Sequence, residues 1–249
     1  MPALKLIGQQ DVRLHDGASA EWSADPGLPV EVSPCPPTKA KGKGDAMNRI
    51  IDEIVRLANA EWEFFGKQEF DVDGRKVRDG MDETEDGFWQ RVGIYWRDGT
   101  GKNLTGKNDD FPWSATFISY LMRKAGAADR FKYNALHSVY IRAAIKARER
   151  GNKAYGFWGF RLAERPPEIG DLVCYSREAG ISFDTQSTSY KSHSDVVVGR
   201  SERAIQVIGG NVGNSVSRKT LKLDNRGLLT DQSHDWFCVL QNRLDTANS

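Results

Sequence analysis

The chain has 249 residues, of which 39% are hydrophobic and 28% charged, with a net charge of +1 at pH 7. This length suits one large domain or two small ones, and so balanced a charge provides no global field to attract nucleic acid or acidic lipid. No apolar run approaches the roughly 18 residues of a membrane span, and the N-terminus lacks the apolar core of a signal peptide. We therefore expect no nucleic-acid or membrane partner. We also expect synthesis in the cytoplasm, with any export following a route that reads no signal peptide.

Residues 1–45 are predicted to be an irregular segment that leads into a single domain at residues 46–249. Prolines interrupt any helix or central strand here, at Pro26, Pro34, Pro36 and Pro37. Lys39, Lys41 and Lys43 alternate with small residues, a composition typical of a flexible linker.

Helices are predicted in the first part of the domain, because apolar side chains recur there at helical spacing. The predicted spans are 45–65, 87–96, 114–125 and 138–149. Between the first two lies a polar stretch, 66–85, whose Asp73-Gly74 turn fits either a small hairpin or an exposed loop. Loops are expected at 97–110 and 151–167.

Strands are predicted after Pro167, where short apolar runs alternate with turns. The predicted spans are 170–175, 193–198, 204–208, 216–223 and 236–241. Short strands joined by short turns are typical of an antiparallel meander. Helices followed by strands indicate an α+β domain.

The cysteines and histidines do not predict a metal centre. The chain has three cysteines, an odd number, at Cys35, Cys174 and Cys238. Their spacing fits neither a zinc knuckle nor a redox pair. Cys174 and Cys238 lie in apolar strand patterns, so we expect buried free thiols. Without a compact ligand motif such as HExxH, we expect neither a metal ion nor an organic cofactor.

A hydroxyl stands where the third predicted helix begins, in Pro112-Trp113-Ser114-Ala115. Free backbone N–H groups and the helix dipole favour negative charge at that point. This environment suits a nucleophile that attacks a carbonyl and leaves an oxyanion. Serine is also a common N-cap, so the isolated motif leaves both interpretations of Ser114 open.

A histidine and two possible orienting groups follow on the predicted strands. His193 shares a strand face with Asp195, two residues on, and Asn211 ends a Gly-Gly-Asn turn. Our hypothesis is that His193 takes the Ser114 proton while Asn211, with Asp195 in reserve, orients the imidazole. The alternatives are a surface His193 bonded to Asp195 and an Asn211 that only forms a turn.

Two further residues are expected to line the cleft, Trp113 and His137. The alternative for His137, which lies in Leu136-His137-Ser138, is that it caps or packs near the start of the fourth helix.

The order of these motifs resembles that of the papain-like cell-wall hydrolases of the CHAP and NlpC type. In those families a cysteine nucleophile opens a helix, a Gly-Asp strand follows, and the next strand begins with the catalytic histidine. Ser114, Gly170-Asp171 and His193 match these positions in turn. The resemblance implies a papain-like α+β fold with N-terminal helices packed on a five- to six-stranded antiparallel sheet. The sequence departs from the pattern of these families at two positions: Ser114 replaces the cysteine, and Gly209 stands where a glutamate is common.

A closer resemblance, over roughly residues 46–243, is to a bacterial family known only as a domain of unknown function. The shared segments are Arg91–Trp96, the Pro-Trp-Ser-Ala helix start, residues 137–141 and the His-x-Asp-Val-Val strand.

These resemblances imply a peptidoglycan hydrolase, either an amidase or an endopeptidase, that cuts an amide bond of the wall peptide through Ser114 and His193. Without a signal peptide, such an enzyme fits an exported antibacterial effector or a lysis protein acting in a target cell's periplasm. Its expected partners are the peptidoglycan peptide, a neutralising immunity protein or a component of a secretion machine. The alternatives are an inactive papain-like module that binds wall peptides or a protein, an engineered replacement of cysteine at Ser114, and an intracellular serine esterase or peptidase.

Overall fold

The computed structural model describes residues 49–246. The irregular segment predicted at 1–45 lies outside these residues. Four α-helices occupy the first part of the described chain: α1 (Arg49–Phe64), α2 (Phe88–Tyr95), α3 (Ser114–Lys124) and α4 (His137–Glu149). A π-helical turn, Trp96–Thr100, extends α2, and a short 3₁₀ turn, Ala128–Arg130, lies between α3 and α4.

Eight strands form one sheet. They are β1 (Gln68–Phe70), β2 (Lys76–Arg78), β3 (Phe157–Phe160), β4 (Leu172–Ser176), β5 (Ser192–Arg200), β6 (Ala204–Gly209), β7 (Ser217–Lys222) and β8 (Asp235–Asn242). Their spatial order is β2-β1-β7-β6-β5-β4-β8-β3. The β1–β7 pair is parallel, and the other neighbouring pairs are antiparallel.

The α+β class is confirmed, but the prediction of a five- to six-stranded antiparallel sheet is wrong. The additional strands, β1, β2 and β3, lie at the two ends of the sheet, and each is too short for an alternating pattern to be recognised in the sequence. The β1–β2 hairpin turns at Asp73-Gly74, one of the two structures that the sequence left open, and β1 adds the parallel pair with β7. Strand β3, in a segment predicted to be a loop, has only 4 residues and is held by pairing with β8.

The helices pack against the sheet through one large apolar core. Helix α1 buries Ile54, Ala58 and Trp62, which recur every fourth residue and so share one face. Its first backbone N–H groups, at Ile50 and Ile51, donate to the carboxylate of Asp245 at 3.0 and 3.1 Å. A second, smaller cluster is made of strand and loop side chains alone. None of the helices within residues 49–246 has the length and hydropathy that crossing a bilayer requires.

Two motifs that the sequence singled out are explained by buried carboxylates that hold elements of the fold together. Glu61 on α1 is buried and binds Arg91 and the hydroxyls of Tyr95 and Tyr120, at 2.6 and 3.1 Å for the two tyrosines. This cluster joins three helices, which explains the Arg91–Trp96 motif.

The Gly-Asp motif anchors the start of β4. Buried Asp171 accepts the backbone N–H of Asn242 at 2.7 Å and that of Glu168 at 3.0 Å.

Candidate functional site

Ser114 is the first residue of α3, and Trp113 occupies the N-cap position. The Ser114 hydroxyl therefore does not cap its own helix. Instead its Oγ lies 2.7 Å from Nε2 of His137, at the start of α4. The first backbone N–H groups of α3 have no acceptor within the helix, so they remain available to a negative charge that forms next to Ser114.

His137 is held from both sides of its ring. Nε2 faces Ser114, and Nδ1 contacts the hydroxyl of Tyr140, one turn further along α4. Burial lowers the pKa of His137 well below 6.5, and the neighbouring His193 and Arg177 lower it further, while Asp195 acts in the opposite direction. His137 is therefore a neutral imidazole at pH 7, the form that can accept a proton.

One arrangement of protons lets Ser114 donate to His137 and satisfies the adjoining hydroxyl. Nδ1 then carries the ring proton and donates it to Tyr140, leaving the lone pair of Nε2 for the hydroxyl of Ser114. Tyr140 also has Ser194 as a side-chain partner, and Ser194 donates to the thiol of Cys174 at 3.2 Å. In this arrangement the network directs the unprotonated Nε2 of His137 toward Ser114.

A second histidine belongs to a buried chain of charged groups. His193 Nε2 lies 2.9 Å from one carboxylate oxygen of Asp195, and Lys219 Nζ lies 2.7 Å from the other. His193 and Asp195 have no exposed surface, and Lys219 is 6% exposed. Burial raises the pKa of Asp195, but the opposing effects of Lys219 and His193 are together larger and hold it well below its usual range. An ionised Asp195 accepts the Nε2–H of His193, so Nδ1 is the unprotonated nitrogen.

The pair of Ser114 with His137 and the buried chain that includes His193 meet at the two imidazoles, whose centroids are 5.0 Å apart. The structure thus brings together four residues that the sequence singled out, Ser114, His137, His193 and Asp195. The hydroxyl of Ser114 contacts His137, however, and not His193. The pairing of Ser114 with His193 as its base stays a prediction.

Asn211 does not orient His193 in this structure, which corrects the predicted role. It lies in the turn after β6 with a left-handed φ of 55°, while Asp195 contacts Nε2. The reason lies at Gly209, where a Cβ would stand 1.9 Å from the Asp195 carboxylate and 2.9 Å from His193 Nε2. Because position 209 has no side chain, the Asp195 carboxylate fills that space.

Trp113 does not line a cleft, which is a second correction. Only 1% of it is exposed, and its ring packs against Phe65, Tyr95 and Phe117. Its indole N–H donates to Glu83. A large ring beside the helix start is placed in the core because burying its apolar area stabilises the fold.

An open cleft of roughly 400 Å³ reaches Ser114 and His137. Three charged side chains contribute to its wall, Arg177, Glu178 and Lys191, together with Leu136 and Tyr190. Within residues 49–246, no group of His, Cys, Asp and Glu side chains has the arrangement of a metal site.

A sequence model described as "Uncharacterized protein conserved in bacteria (DUF2272)" matches residues 83–243. The chain belongs to this family. No curated protein and no solved structure matches the chain.

The match confirms the resemblance to a bacterial domain of unknown function, although it begins at residue 83 and not near residue 46. It spans all the residues of the candidate site, from Ser114 to Lys219. Helix α1 and the β1–β2 hairpin precede it.

Three residues of the site were missed by the sequence analysis. Tyr140 follows His137 by three positions, a helical spacing that places both on one face. Lys219 stands at an inward position of β7, between the buried residues Ser217 and Leu221, and a lysine there signals a buried acidic partner. Arg177 gave no signal, because its importance comes only from the cross-strand pairing of β4 with β5.

Gly209→Ala is expected to lower the free energy of unfolding by about 1–3 kcal/mol, because the added methyl group would overlap the Asp195 carboxylate. Urea denaturation measures the change. Gly93→Ala is the matched control, since its Cβ would make ordinary contacts at 3.5 Å and alanine favours a helix. Equal stability of the two variants would contradict the tight packing of Asp195 against position 209.

Proposed function

We propose that this protein is a serine amide hydrolase that cleaves the peptide part of peptidoglycan. The observation that carries the proposal is the 2.7 Å contact between Ser114 Oγ and the neutral His137, at a helix N-terminus that borders an open cleft. The substrate and the papain-like CHAP or NlpC relationship are part of the proposal. The order of the motifs, from the helix start through the Gly-Asp strand to the His193 strand, supports them.

The chemistry follows the atoms of this contact. Ser114 Oγ attacks the carbonyl carbon of the amide and its proton passes to His137 Nε2. The first N–H groups of α3 stabilise the oxyanion. When the C–N bond breaks, His137 returns the proton to the leaving amine. Water then attacks the acyl-serine, His137 takes one of its protons, and the acid product leaves as Ser114 is reprotonated.

Digestion of purified peptidoglycan tests the proposal. We expect the wild-type protein to release new free amino groups without new reducing sugar ends, because an amide bond and no glycosidic bond is cut. Mass spectrometry of the soluble products then identifies the amide. If walls stay intact while the protein binds them, the binding module is supported, and if only small esters are hydrolysed, the intracellular esterase is supported.

The two histidines are distinguished by a pair of matched variants. We expect His137→Gln to reduce kcat about 100-fold or more, since it removes the ring in contact with Ser114. His193→Gln is expected to have a smaller effect on kcat, because its ring lies beyond His137. Circular dichroism and thermal unfolding check that both variants fold. A larger loss for His193→Gln would restore the pairing that the sequence predicted.

The acid limb of the pH–rate profile is expected below pH 6.5. Neutral His137 is the active form, and because burial, His193 and Arg177 lower its pKa, protonation and loss of activity occur only when the pH falls below the usual histidine range. The measurement is kcat/KM between pH 4 and 8, with thermal unfolding at each pH. An acid limb above pH 6.5 in a fully folded protein would contradict a neutral, buried base.

Export and neutralisation complete the proposal. A wall hydrolase must reach the periplasm, and a producing cell needs a neutralising partner. Directing the protein to the periplasm of a bacterial host by an added signal peptide is expected to lyse the cells, whereas cytoplasmic expression is expected to be harmless. Lysis that persists with Ser114→Ala would show that toxicity does not come from this site.

A further inference from the structure

Arg177 is a charged side chain that lines the cleft and also contacts one of the two imidazoles, that of His193. It follows β4, and its backbone N–H donates to Lys191 O at 2.9 Å, which continues the pairing with the chain before β5. Alternation along the chain gives Arg177 the same direction as Tyr175, whose cross-strand partner is His193. The guanidinium therefore lies on the same side of the sheet as His193.

The contacts of this guanidinium leave its charge unbalanced. Nη2 lies 3.3 Å from the Tyr175 hydroxyl and 3.4 Å from His193 Nδ1, and neither group is an anion. Arg177 takes part in none of the ion pairs found within residues 49–246, whereas Arg91, Arg161 and Arg218 each bind a carboxylate. The neighbouring Glu178 accepts the backbone N–H of Lys191 at 2.9 Å instead.

Arg177 also lines the cleft that borders Ser114. An arginine presents N–H donors in a planar fork that matches a carboxylate, and Lys191 adds a second positive charge to this wall. The contacts to Tyr175 and His193 are both made by Nη2, so the N–H groups of Nη1 and Nε are the donors left for a ligand.

We propose that Arg177 binds a free carboxylate of the substrate beside the amide that Ser114 attacks. This inference rests on the proposed function and narrows it. The preferred substrate is a wall peptide that carries an unblocked carboxylate near the cleaved bond, and peptides with that group amidated are poor substrates.

The test uses muropeptides released from peptidoglycan, in their natural form and after conversion of their carboxylates to methylamides. We expect wild-type kcat/KM to be on the order of 10- to 100-fold higher for the free form, mainly through KM. Arg177→Gln is expected to reduce this ratio to near 1, and Arg177→Lys to keep part of it. Arg226→Gln is the control, because that arginine is exposed and pairs with Asp224 away from the cleft.

A binding experiment distinguishes failure of this inference from failure of the proposed function. The Ser114→Ala protein and the Ser114→Ala/Arg177→Gln protein are titrated calorimetrically with both forms of the muropeptide. We expect a preference for the free form in the first protein only. The same loss of affinity for both forms on removing Arg177, or no preference in the first protein, would overturn the carboxylate site. Absence of hydrolysis by the wild type alongside an Arg177-dependent preference would overturn the proposed function alone.

Discussion

Ser114→Ala is expected to reduce amine release from peptidoglycan by about 1,000-fold or more, since removal of a nucleophile leaves only the residual effect of binding and of the oxyanion site. Affinity for the wall peptide should change little, because the substitution removes one oxygen from the cleft. The measurement is the initial rate of amine release beside equilibrium binding of muropeptides.

Ser114→Cys is the informative companion. A thiol of similar size next to the neutral His137 ionises more readily than a hydroxyl, so this variant is expected to keep measurable activity. Ser119→Ala, on the same helix, is the control for folding, because its hydroxyl bonds to the backbone of Asn134 and not to the site. If Ser114→Ala were as active as the wild type, Ser114 would not be the nucleophile.

Lys219→Met is expected to lower the free energy of unfolding by about 3–5 kcal/mol, because it leaves the carboxylate of Asp195 buried without its cation. Asp195 has no exposed surface, so water cannot replace the lost partner. The substitution also allows Asp195 to be protonated nearer neutral pH, which weakens the orientation of His193. Chemical denaturation at pH 7 measures the stability.

Lys222→Met on the same strand is the matched control. Its ion pair with Asp73 is about half exposed on both sides, and exposed pairs contribute about 0–1 kcal/mol. The double variant Lys219→Met/Asp195→Asn is expected to recover part of the stability, since no buried charge then remains unpaired. An equal, small loss for Lys219→Met and Lys222→Met would show that the buried ion pair contributes no more than a surface one.

The regular elements of the domain could be read from local patterns. Helix α4, predicted at 138–149, begins one residue earlier, and strand β5, predicted at 193–198, extends by one residue before and two after. Both were predictable because a helical or alternating repeat depends only on neighbouring side chains. Strand β3 was not, since its 4 residues form a strand only by pairing with β8.

Local sequence patterns were enough to predict the α+β class and to single out four polar residues: Ser114 at the start of α3, His137, His193 and Asp195. Which groups these residues contact depended on the tertiary structure. It placed Ser114 against His137, set Asp195 in the space left by Gly209 in place of Asn211, and enclosed Trp113 in the core. The physical reason is that a repeat fixes which face a side chain occupies, whereas hydrogen bonds and ion pairs between distant segments depend on how those faces pack together. Lys219 and Asp195 lie 24 positions apart along the chain, and their buried contact exists only after β5, β6 and β7 have paired.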